Sequence, residues 1–524
     1  MPELESRSPV TGDVLGAVAA ASEEDVQAAA DRAALVQPLW AAVPSQARAR
    51  YLRRAAQAVL DELDQLAMLI ARETGRPRSE ALLAELLPSV GGLHSLADDG
   101  PRALADRRLG RPALLRAGRR AVLVQAPAGV VAIRGRSASP WAEPLLESAA
   151  SLLAGNAVLL APAAPLVGER IAAAFIRAGV PGELIAPLHG PAAQEALGDD
   201  GAWSAGAAAR GDEGARGGGD GATVPGVVRV VDLGADDAKA TMLVLDRAPL
   251  EATVSGALWA AFAGAGRHPA AVGRLVVAPG PAEALLGRLV AGARRLRVGD
   301  PRHADTEVGP LASRADLEAV ERLVAEAEAG GAERLCGGAL TLPGLDAAFC
   351  APIVLRGVGT DARLIREMPP GPVLAVLEAA SEREAIAIAG EHAEGAVSVW
   401  TDDRDHGERV GRSLGAELTW VNEHGQAVPS APVRLARHVA PRRLASQPAR
   451  LRSARWLPYD PALVRARTAA ARLLHGRESE RVAALRAGAA PVAQLALRAA
   501  RAAAQRPNRS GSNGAGSASG GSPQ

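Results

Sequence analysis

The sequence predicts an α/β fold in which helices alternate with the strands of a parallel sheet. Short β-rich apolar runs recur along the chain, and the stretches between them carry apolar residues at helical spacing. This alternation begins near residue 120 and continues to Asn422. A chain of 524 residues, 48% of them hydrophobic, is long enough to form several domains with large buried cores.

Before the first of these strands, residues 22–110 are predicted to be helical. Ser22 precedes three acidic residues, which is typical of a capped helix N-terminus. Apolar residues recur at helical spacing as far as Ile70, and Gly75 ends that helix.

The middle of the chain supplies the alternating elements. The predicted strands are Ala121–Gln125, Gly129–Ile133, Asn156–Ala161, Leu184–Leu188 and Val227–Val231. The predicted helices are residues 141–154, 165–178 and 248–264. Because strands joined through helices run in the same direction, the sheet is expected to be parallel.

Composition excludes several classes of function. The net charge of +1 gives no overall attraction to nucleic acid or to acidic membranes, so neither is expected as a partner. Two cysteines in a chain of this length form no disulfide framework, and no spacing suits a metal site. The N-terminus lacks a signal-peptide pattern and no run of about 18 apolar residues occurs. We therefore expect a cytoplasmic protein without a membrane span.

Three segments differ in composition from the rest. Residues 205–222 are rich in glycine and are predicted to be mobile. Residues 459–506 form a predicted helical extension rich in arginine and alanine, and residues 507–524 a disordered tail. The basic helix fits either a nucleic-acid or membrane surface or a solvated packing helix. The arginine bias of the whole chain, in which Lys239 is the only lysine, favours the packing helix.

Several short motifs follow one another in an order and at a spacing that resemble one family. They are Ser8–Asp13, Glu73–Pro77, Ala154–Pro162, Val298–Pro301 with Thr306–Leu311, Gly371–Leu374 and Trp420–Asn422. Together they resemble the aldehyde dehydrogenase superfamily over residues 8–456. One motif of this length is weak support, whereas the ordered set predicts an aldehyde dehydrogenase-like fold.

The resemblance implies three structural parts and a reaction. A Rossmann-like NAD(P)-binding domain would comprise residues 1–117 and 134–247, and a catalytic α/β domain residues 248–435. Residues 118–133 and 436–458 would form the β-flap through which the family builds dimers or tetramers. In the family's reaction a cysteine thiolate attacks the aldehyde and a hydride passes to the nicotinamide of NAD or NADP. Water activated by a glutamate then hydrolyses the thioester.

The position of the family's nucleophile is occupied by proline. In the family pattern F-x-N-x-G-Q-x-C-x-x-x-x-R, the residues Phe262, Gly266 and Arg274 fix the register, and Pro269 falls on the cysteine. Covalent catalysis needs a thiolate at that position, and proline has neither a nucleophile nor an N–H donor. We therefore expect the hemithioacetal not to form.

No other nucleophile replaces it convincingly. Cys336 lies far downstream in a predicted Leu-Cys-Gly-Gly turn, and Cys350 lies at the predicted start of a strand. Small buried cysteines are usually structural, which is the role we predict for both. If the protein does turn over aldehydes, His268 is the first candidate for an alternative nucleophile.

The oxyanion donor and the general base are also altered. Counted back from the Ala-Gly-Asn motif, the family's P-W-N-F-P places Ala138 on the asparagine whose amide stabilises the oxyanion, and a methyl group cannot donate a hydrogen bond. Ser137 or Ser139 could donate if the loop were reshaped, although two ordinary loop serines are the simpler interpretation. Asp232 replaces the glutamate of E-L-G-G and is one methylene shorter. We expect it to act as a hydrogen-bond acceptor at the end of a loop, and activation of water through a second water molecule is the alternative role.

The cofactor positions have changed as well. Ala161 and Ala164 occupy the positions of the lysine and glutamate that hold the adenosine ribose in the family. The phosphate loop G-S-T-x-x-G would fall near Gly206, beside the glycine-rich segment, and Met368 takes the place of the glutamate that binds the nicotinamide ribose. We expect weak or absent binding of NAD or NADP.

Two functions are compatible with this pattern. The first is a catalytically impaired aldehyde dehydrogenase homologue that acts as a structural or regulatory partner, forms homodimers or tetramers and pairs with an active paralogue. The second is a working NAD(P)-linked oxidoreductase on an unknown aldehyde, with a rearranged site. The first is favoured because the altered residues coincide with the cleft while the motifs far from it remain family-like.

Overall fold

The structure is a computed structural model and describes most of the chain. The described residues are 2–109, 120–197, 227–233, 239–268, 270–367, 369–393, 395–425, 430–446, 461–475, 477, 479–481 and 483–485. The predictions for residues 205–222 and 507–524, and those for Gly206, Pro269 and Met368, lie outside these residues, as does the side chain of Asp232.

The N-terminal region is helical as predicted, after a short antiparallel pair of strands, Glu3–Arg7 (β1) and Val14–Ala19 (β2), that was not predicted. Ser22 caps the first helix: its side chain accepts a hydrogen bond from the Asp25 amide at 3.2 Å, and Asp25 in turn accepts from the Ser22 amide at 3.0 Å. Gly75, with a φ of +76°, ends the helix Leu63–Thr74.

The helices of the described chain are Glu23–Ala42, Ser45–Asp61, Leu63–Thr74, Leu87–Ala103, Ala142–Ala154, Pro165–Arg177, Pro191–Ala196, Leu250–Phe262, Ala282–Arg295, Arg314–Ala329, Arg363–Glu367, Glu382–Glu391, Arg404–Leu414, Ala431–Ala436 and Pro461–His475. A helical turn Arg78–Glu80 and a π-helical stretch Ala81–Leu86 lead into Leu87–Ala103. Among the described residues, no helix combines the length and the apolar character needed to cross a membrane.

A four-stranded parallel sheet forms the first core. Its strands are, in spatial order, Ile185–Pro187 (β7), Ala157–Ala161 (β6), Val130–Arg134 (β5) and Val227–Asp232 (β8). The predicted assignment of residues 129–133 to an oligomerisation flap is therefore wrong. The strand β5 is paired on both sides, and its apolar side chains are buried against the flanking helices.

A seven-stranded sheet forms the second core. Its strands are, in spatial order, Glu333–Leu340 (β11), Phe349–Arg356 (β12), Val373–Glu378 (β13), Val272–Val277 (β10), Ala240–Val244 (β9), Ala396–Trp400 (β14) and Leu418–Val421 (β15). All neighbouring strands are parallel except the hairpin β11–β12. The predicted α/β class with mainly parallel sheets is confirmed.

The chain divides into two compact units, the first comprising Met1–Ala105 and Gln125–Ala440 and the second Asp106–Val124 and Pro441–Gln524. The first unit contains both parallel sheets. The second contains most residues of a three-stranded sheet and the helix Pro461–His475, which lies within the predicted helical extension. The strands of that sheet are, in order, Val439–Ser446 (β16), Arg120–Pro127 (β4) and Arg107–Arg108 (β3).

A buried ionic cluster ties the helix Ala142–Ala154 to the end of the first unit. The carboxylate of Glu147 binds Arg434 at 2.5 Å, His438 at 2.6 Å and Arg437 at 3.1 Å. Burial opposes the ionisation of Glu147, but Arg434 and His438 overcome it and lower the pKa of Glu147 to about 2. Each charge of the cluster therefore depends on its neighbours for compensation.

We predict that Glu147→Gln destabilises the protein by about 3–5 kcal/mol at neutral pH, because it leaves Arg434 buried without a counter-charge. The pKa of Glu147 is lowered from 4.5, so its contribution is complete above about pH 4.5 and is lost as the pH falls toward 2. Burial lowers the pKa of His438 from 6.5, which acts in the same direction. Urea denaturation across this pH range measures both effects.

Arg314→Gln is the matched control, since it breaks a pair with Asp346 whose side chains are 70% and 88% exposed. Such a pair contributes about 1 kcal/mol or less. Equal losses of unfolding free energy in the two variants would contradict the structural importance of the buried cluster.

Candidate active-site region

The loop that follows the helix Leu250–Phe262 has an unusual backbone. Gly264, Ala265 and Gly266 have φ values of +61°, +53° and +74°, and Ala270 has a φ of +60°. Residues with side chains rarely adopt this region, and the cost must be met by surrounding contacts. At Gly266 a Cβ atom would lie 2.2 Å from the carbonyl oxygen of Gly371, so only glycine fits there. The loop thus keeps a constrained shape although its family cysteine position is Pro269.

Arg76 connects this loop to two other segments. Its guanidinium forms an ion pair with Glu80 and donates a hydrogen bond to the carbonyl oxygen of Ala138 at 2.5 Å. The other oxygen of Glu80 accepts a hydrogen bond from the Gly264 amide at 2.8 Å. One arginine and one glutamate therefore hold the loops around residues 76, 138 and 264 together.

Glu85 stabilises the same region through hydrogen bonds to residues 139–142. Its carboxylate is fully buried and accepts hydrogen bonds from the Ser139 hydroxyl at 3.1 Å and from the amides of Trp141 and Ala142 at 3.2 and 2.7 Å. Burial raises the pKa of Glu85, while Arg76, 3.6 Å away, opposes that rise. Sequence reasoning missed this residue, although two acids in the apolar stretch Ser79–Leu87 were the available signal.

The oxyanion position offers no side-chain donor in either possible register. Ala138 is buried, and its carbonyl is already bound to Arg76. Matching the dipeptide Pro140-Trp141 to the family's P-W instead would place Ala142 on the asparagine, which is again an alanine. The hydroxyl of Ser139 donates a hydrogen bond to Glu85, so it stabilises the loop and does not point its hydrogen into the cleft.

The predicted general base lies at the end of a strand beside these loops. Asp232 is the last residue of β8 and is paired in register with Arg134, the last residue of β5. In parallel sheets, ligands bind outside the carboxyl ends of the strands. The backbone of Asp232 therefore lies at a ligand-binding end of the sheet.

Aromatic and histidine rings surround the remaining part of the loop. His268 is buried and meets Trp259 edge-on, with 5.0 Å between the ring centroids. His424 contacts Trp420 at 4.7 Å, and its Nε2 donates to the carbonyl oxygen of Ala270 at 2.8 Å. Burial lowers the pKa of His424 to about 4, so this imidazole is neutral at physiological pH. These contacts hold His268 and Ala270, the residues on either side of position 269.

Neither cysteine lies close to the loop at residues 264–270, and neither thiol is ionised at neutral pH. Cys336 lies in β11, so its predicted location in a turn is wrong, and Cys350 lies near the start of β12 as predicted. The strands β11 and β12 are three and two positions from β10, which at about 4.8 Å per strand is roughly 14 and 10 Å. Burial raises the pKa of both thiols, that of Cys350 to about 12. Both are therefore protonated at neutral pH.

The only lysine of the chain is buried next to the loop. Lys239 directly precedes β9, its side chain passes Gly273, and its Nζ donates to the carbonyl oxygen of Gly371 at 2.9 Å. Burial lowers the pKa of Lys239 to about 7. Sequence reasoning noted this lysine only as a compositional feature.

The described cofactor positions do not fit the ribose of NAD or NADP. Ala161 ends β6 fully buried, and its carbonyl accepts a hydrogen bond from the Gly135 amide at 2.8 Å. Ala164 precedes the helix Pro165–Arg177 and offers only a methyl group. Hydroxyl groups of a ribose need polar partners, and these two side chains supply none.

The motif residues that are retained make contacts within the fold. The Glu73 carboxylate accepts from the Ser6 hydroxyl at 2.6 Å and from the amides of Leu166 and Val167 at 2.8 Å, which caps the helix Pro165–Arg177. The Asn156 side chain accepts from the Gly129 amide at 2.9 Å and donates to the His438 carbonyl at 2.8 Å. The Asn422 side chain accepts from the Thr401 amide at 2.8 Å.

Comparison with known proteins agrees with this architecture. The family model described as the aldehyde dehydrogenase family matches residues 2–434. Betaine aldehyde dehydrogenase of Cereibacter sphaeroides is 30% identical over 430 residues, which cover 81% of this chain and 86% of that protein. The chain belongs to the aldehyde dehydrogenase family.

Solved structures share the fold. A NAD-dependent benzaldehyde dehydrogenase from Corynebacterium glutamicum superposes with a TM-score of 0.72 at 23% identity, covering 88% of this chain and 95% of that one. An indole-3-acetaldehyde dehydrogenase in complex with NAD+ superposes with a TM-score of 0.74 at 24% identity, covering 85% and 93% of the two chains. At these identities the likeness concerns the fold alone.

Proposed function

We propose that this protein is a catalytically impaired member of its family that acts as a structural or regulatory partner. The observation that carries the proposal is the pair of residues at the reaction centre: proline at the nucleophile position and Ala138 at the oxyanion position, with the carbonyl of Ala138 held by Arg76. Neither residue can supply the bond or the hydrogen bond that the family's reaction requires.

A working oxidoreductase with a rearranged site is the second candidate. The observation that favours it is the constrained backbone of the loop at 264–270, together with the buried His268 beside Trp259. A strained loop with a buried histidine is typical of functional sites, although the same contacts also stabilise the loop alone.

We predict no NAD(P)-dependent oxidation above background with betaine aldehyde, benzaldehyde or short aliphatic aldehydes, because Pro269 cannot form the hemithioacetal. The measurement is the absorbance of the reduced cofactor with purified protein. Turnover that persists when Cys336 and Cys350 are both changed to serine would overturn the proposal. Loss of that turnover in His268→Ala would then identify the alternative nucleophile.

We predict that NAD+ and NADP+ bind with millimolar dissociation constants or weaker, equivalent to about −4 kcal/mol. The physical reason is the loss of the ribose contacts at Ala161 and Ala164. Isothermal titration calorimetry measures the affinity, and the matched variant Ala161→Lys with Ala164→Glu should bind more tightly than the natural chain. A micromolar constant for the natural chain would contradict this prediction.

We also propose that the protein forms a homodimer or tetramer in the cytoplasm and that it pairs with an active paralogue. The six residues Pro441–Ser446 of the outer strand β16 are all exposed, and their backbone groups are available for pairing with a strand of a partner. Light scattering coupled to size exclusion measures the mass directly. A monomer near 53.4 kDa at micromolar concentration would rule out self-association and leave the paralogue as the remaining partner. Cell fractionation tests the location.

A further inference from the structure

A small pocket lies beside the loops that Arg76 joins. Its walls are the turn at residues 74–77, the loop residues Ser137 and Ala138, the loop at 264–267, and the pair Gly309-Pro310. Its inner end has room for a group about the size of a water molecule. The inner end thus admits a single ligand oxygen atom, and the rest of a ligand would lie in the open part of the pocket.

Two arginines, Arg76 and Arg267, line this pocket, and they differ in how their positive charges are balanced by carboxylates. Arg76 is paired with Glu80 and Glu85. Arg267 makes no ion pair with any described residue; one of its terminal nitrogens donates to the Pro310 carbonyl at 3.1 Å, and its buried Nε–H has no hydrogen-bond partner there. Arg267 is half-buried, and removing a cation from water without a counter-ion is costly, so the site favours an anion.

The charges around Arg267 also favour an anion in the pocket. Burial and the neighbouring Arg76 lower the pKa of Arg267 to about 10, while Asp316 and Glu80 oppose that shift only in part. The guanidinium remains charged at physiological pH, and its positive charge is only partly balanced. An arginine's planar fork matches the two oxygens of a carboxylate, and this geometry favours a carboxylate over a spherical ion.

We propose that the pocket between residues 74–77, 137–138 and 264–267 binds the carboxylate group of a small organic acid, with Arg267 as its ion partner. Ser137 is the exposed residue of the lining and marks the mouth of the pocket, through which the rest of the acid extends. The proposal deepens the proposed function, on which it rests: a protein that does not turn over aldehydes is stabilised or regulated by an acid at this position. Arg267 stands where the family has glutamine, so the site is a property of this chain.

The test is isothermal titration calorimetry of the full chain with sodium acetate, with acetamide as the uncharged analogue of the same shape and with sodium chloride. We expect saturable acetate binding, at least about tenfold weaker binding of acetamide and chloride, and a loss of acetate affinity of at least about tenfold in Arg267→Gln. Arg412→Gln, which removes an exposed arginine of the helix Arg404–Leu414 that does not line the pocket, should bind acetate as the natural protein does.

A second variant covers the case in which Arg267→Gln does not fold. Ser137→Trp fills the mouth of the pocket from an exposed position and should also abolish acetate binding. Equal binding of acetate and acetamide, equal binding of acetate and chloride, unchanged affinity in the folded pocket variants, or no acetate binding at all would each overturn the carboxylate assignment. Aldehyde turnover is measured separately, so its appearance would overturn the proposed function without altering these results.

Discussion

The guanidinium of Arg76 is the interaction on which the geometry of the whole site depends. It lies buried between Glu80 and Glu85, and through them and its own bond to Ala138 it fixes loops from three separate parts of the chain. Removing one member of such a cluster leaves a buried charge uncompensated, which costs several kcal/mol, about 3–5. The loops must therefore keep their positions whatever chemistry they carry.

Residues of three retained motifs add to this framework. Glu73, Asn156 and Asn422 each satisfy backbone groups of neighbouring elements, and their loss would leave buried polar atoms without partners. Ala138, Ala161 and Ala164 supply only methyl groups to the loops and strand ends that these contacts hold.

Much of the fold could be predicted from local patterns, and the errors have physical causes. The Ser22 cap, the Gly75 helix end and the strand β6 follow from short-range chemistry. The flap predicted over residues 118–133 includes most of the inner strand Val130–Arg134, because an apolar run looks the same on an inner strand and at an edge. The glycines after Cys336 suggested a turn but form a bulge, in which Gly337 packs against the Pro352 carbonyl.

The strand that ends at Asp232 could be predicted from its apolar run, whereas the electrostatics of the region could not. The burial of Glu85 and Lys239 depends on contacts between residues distant in sequence. The measurement that tests the central claim most directly is intact-mass spectrometry after incubation with benzaldehyde and NAD+. The account predicts an unmodified mass; a covalent acyl adduct that survives replacement of Cys336 and Cys350 by serine would contradict it.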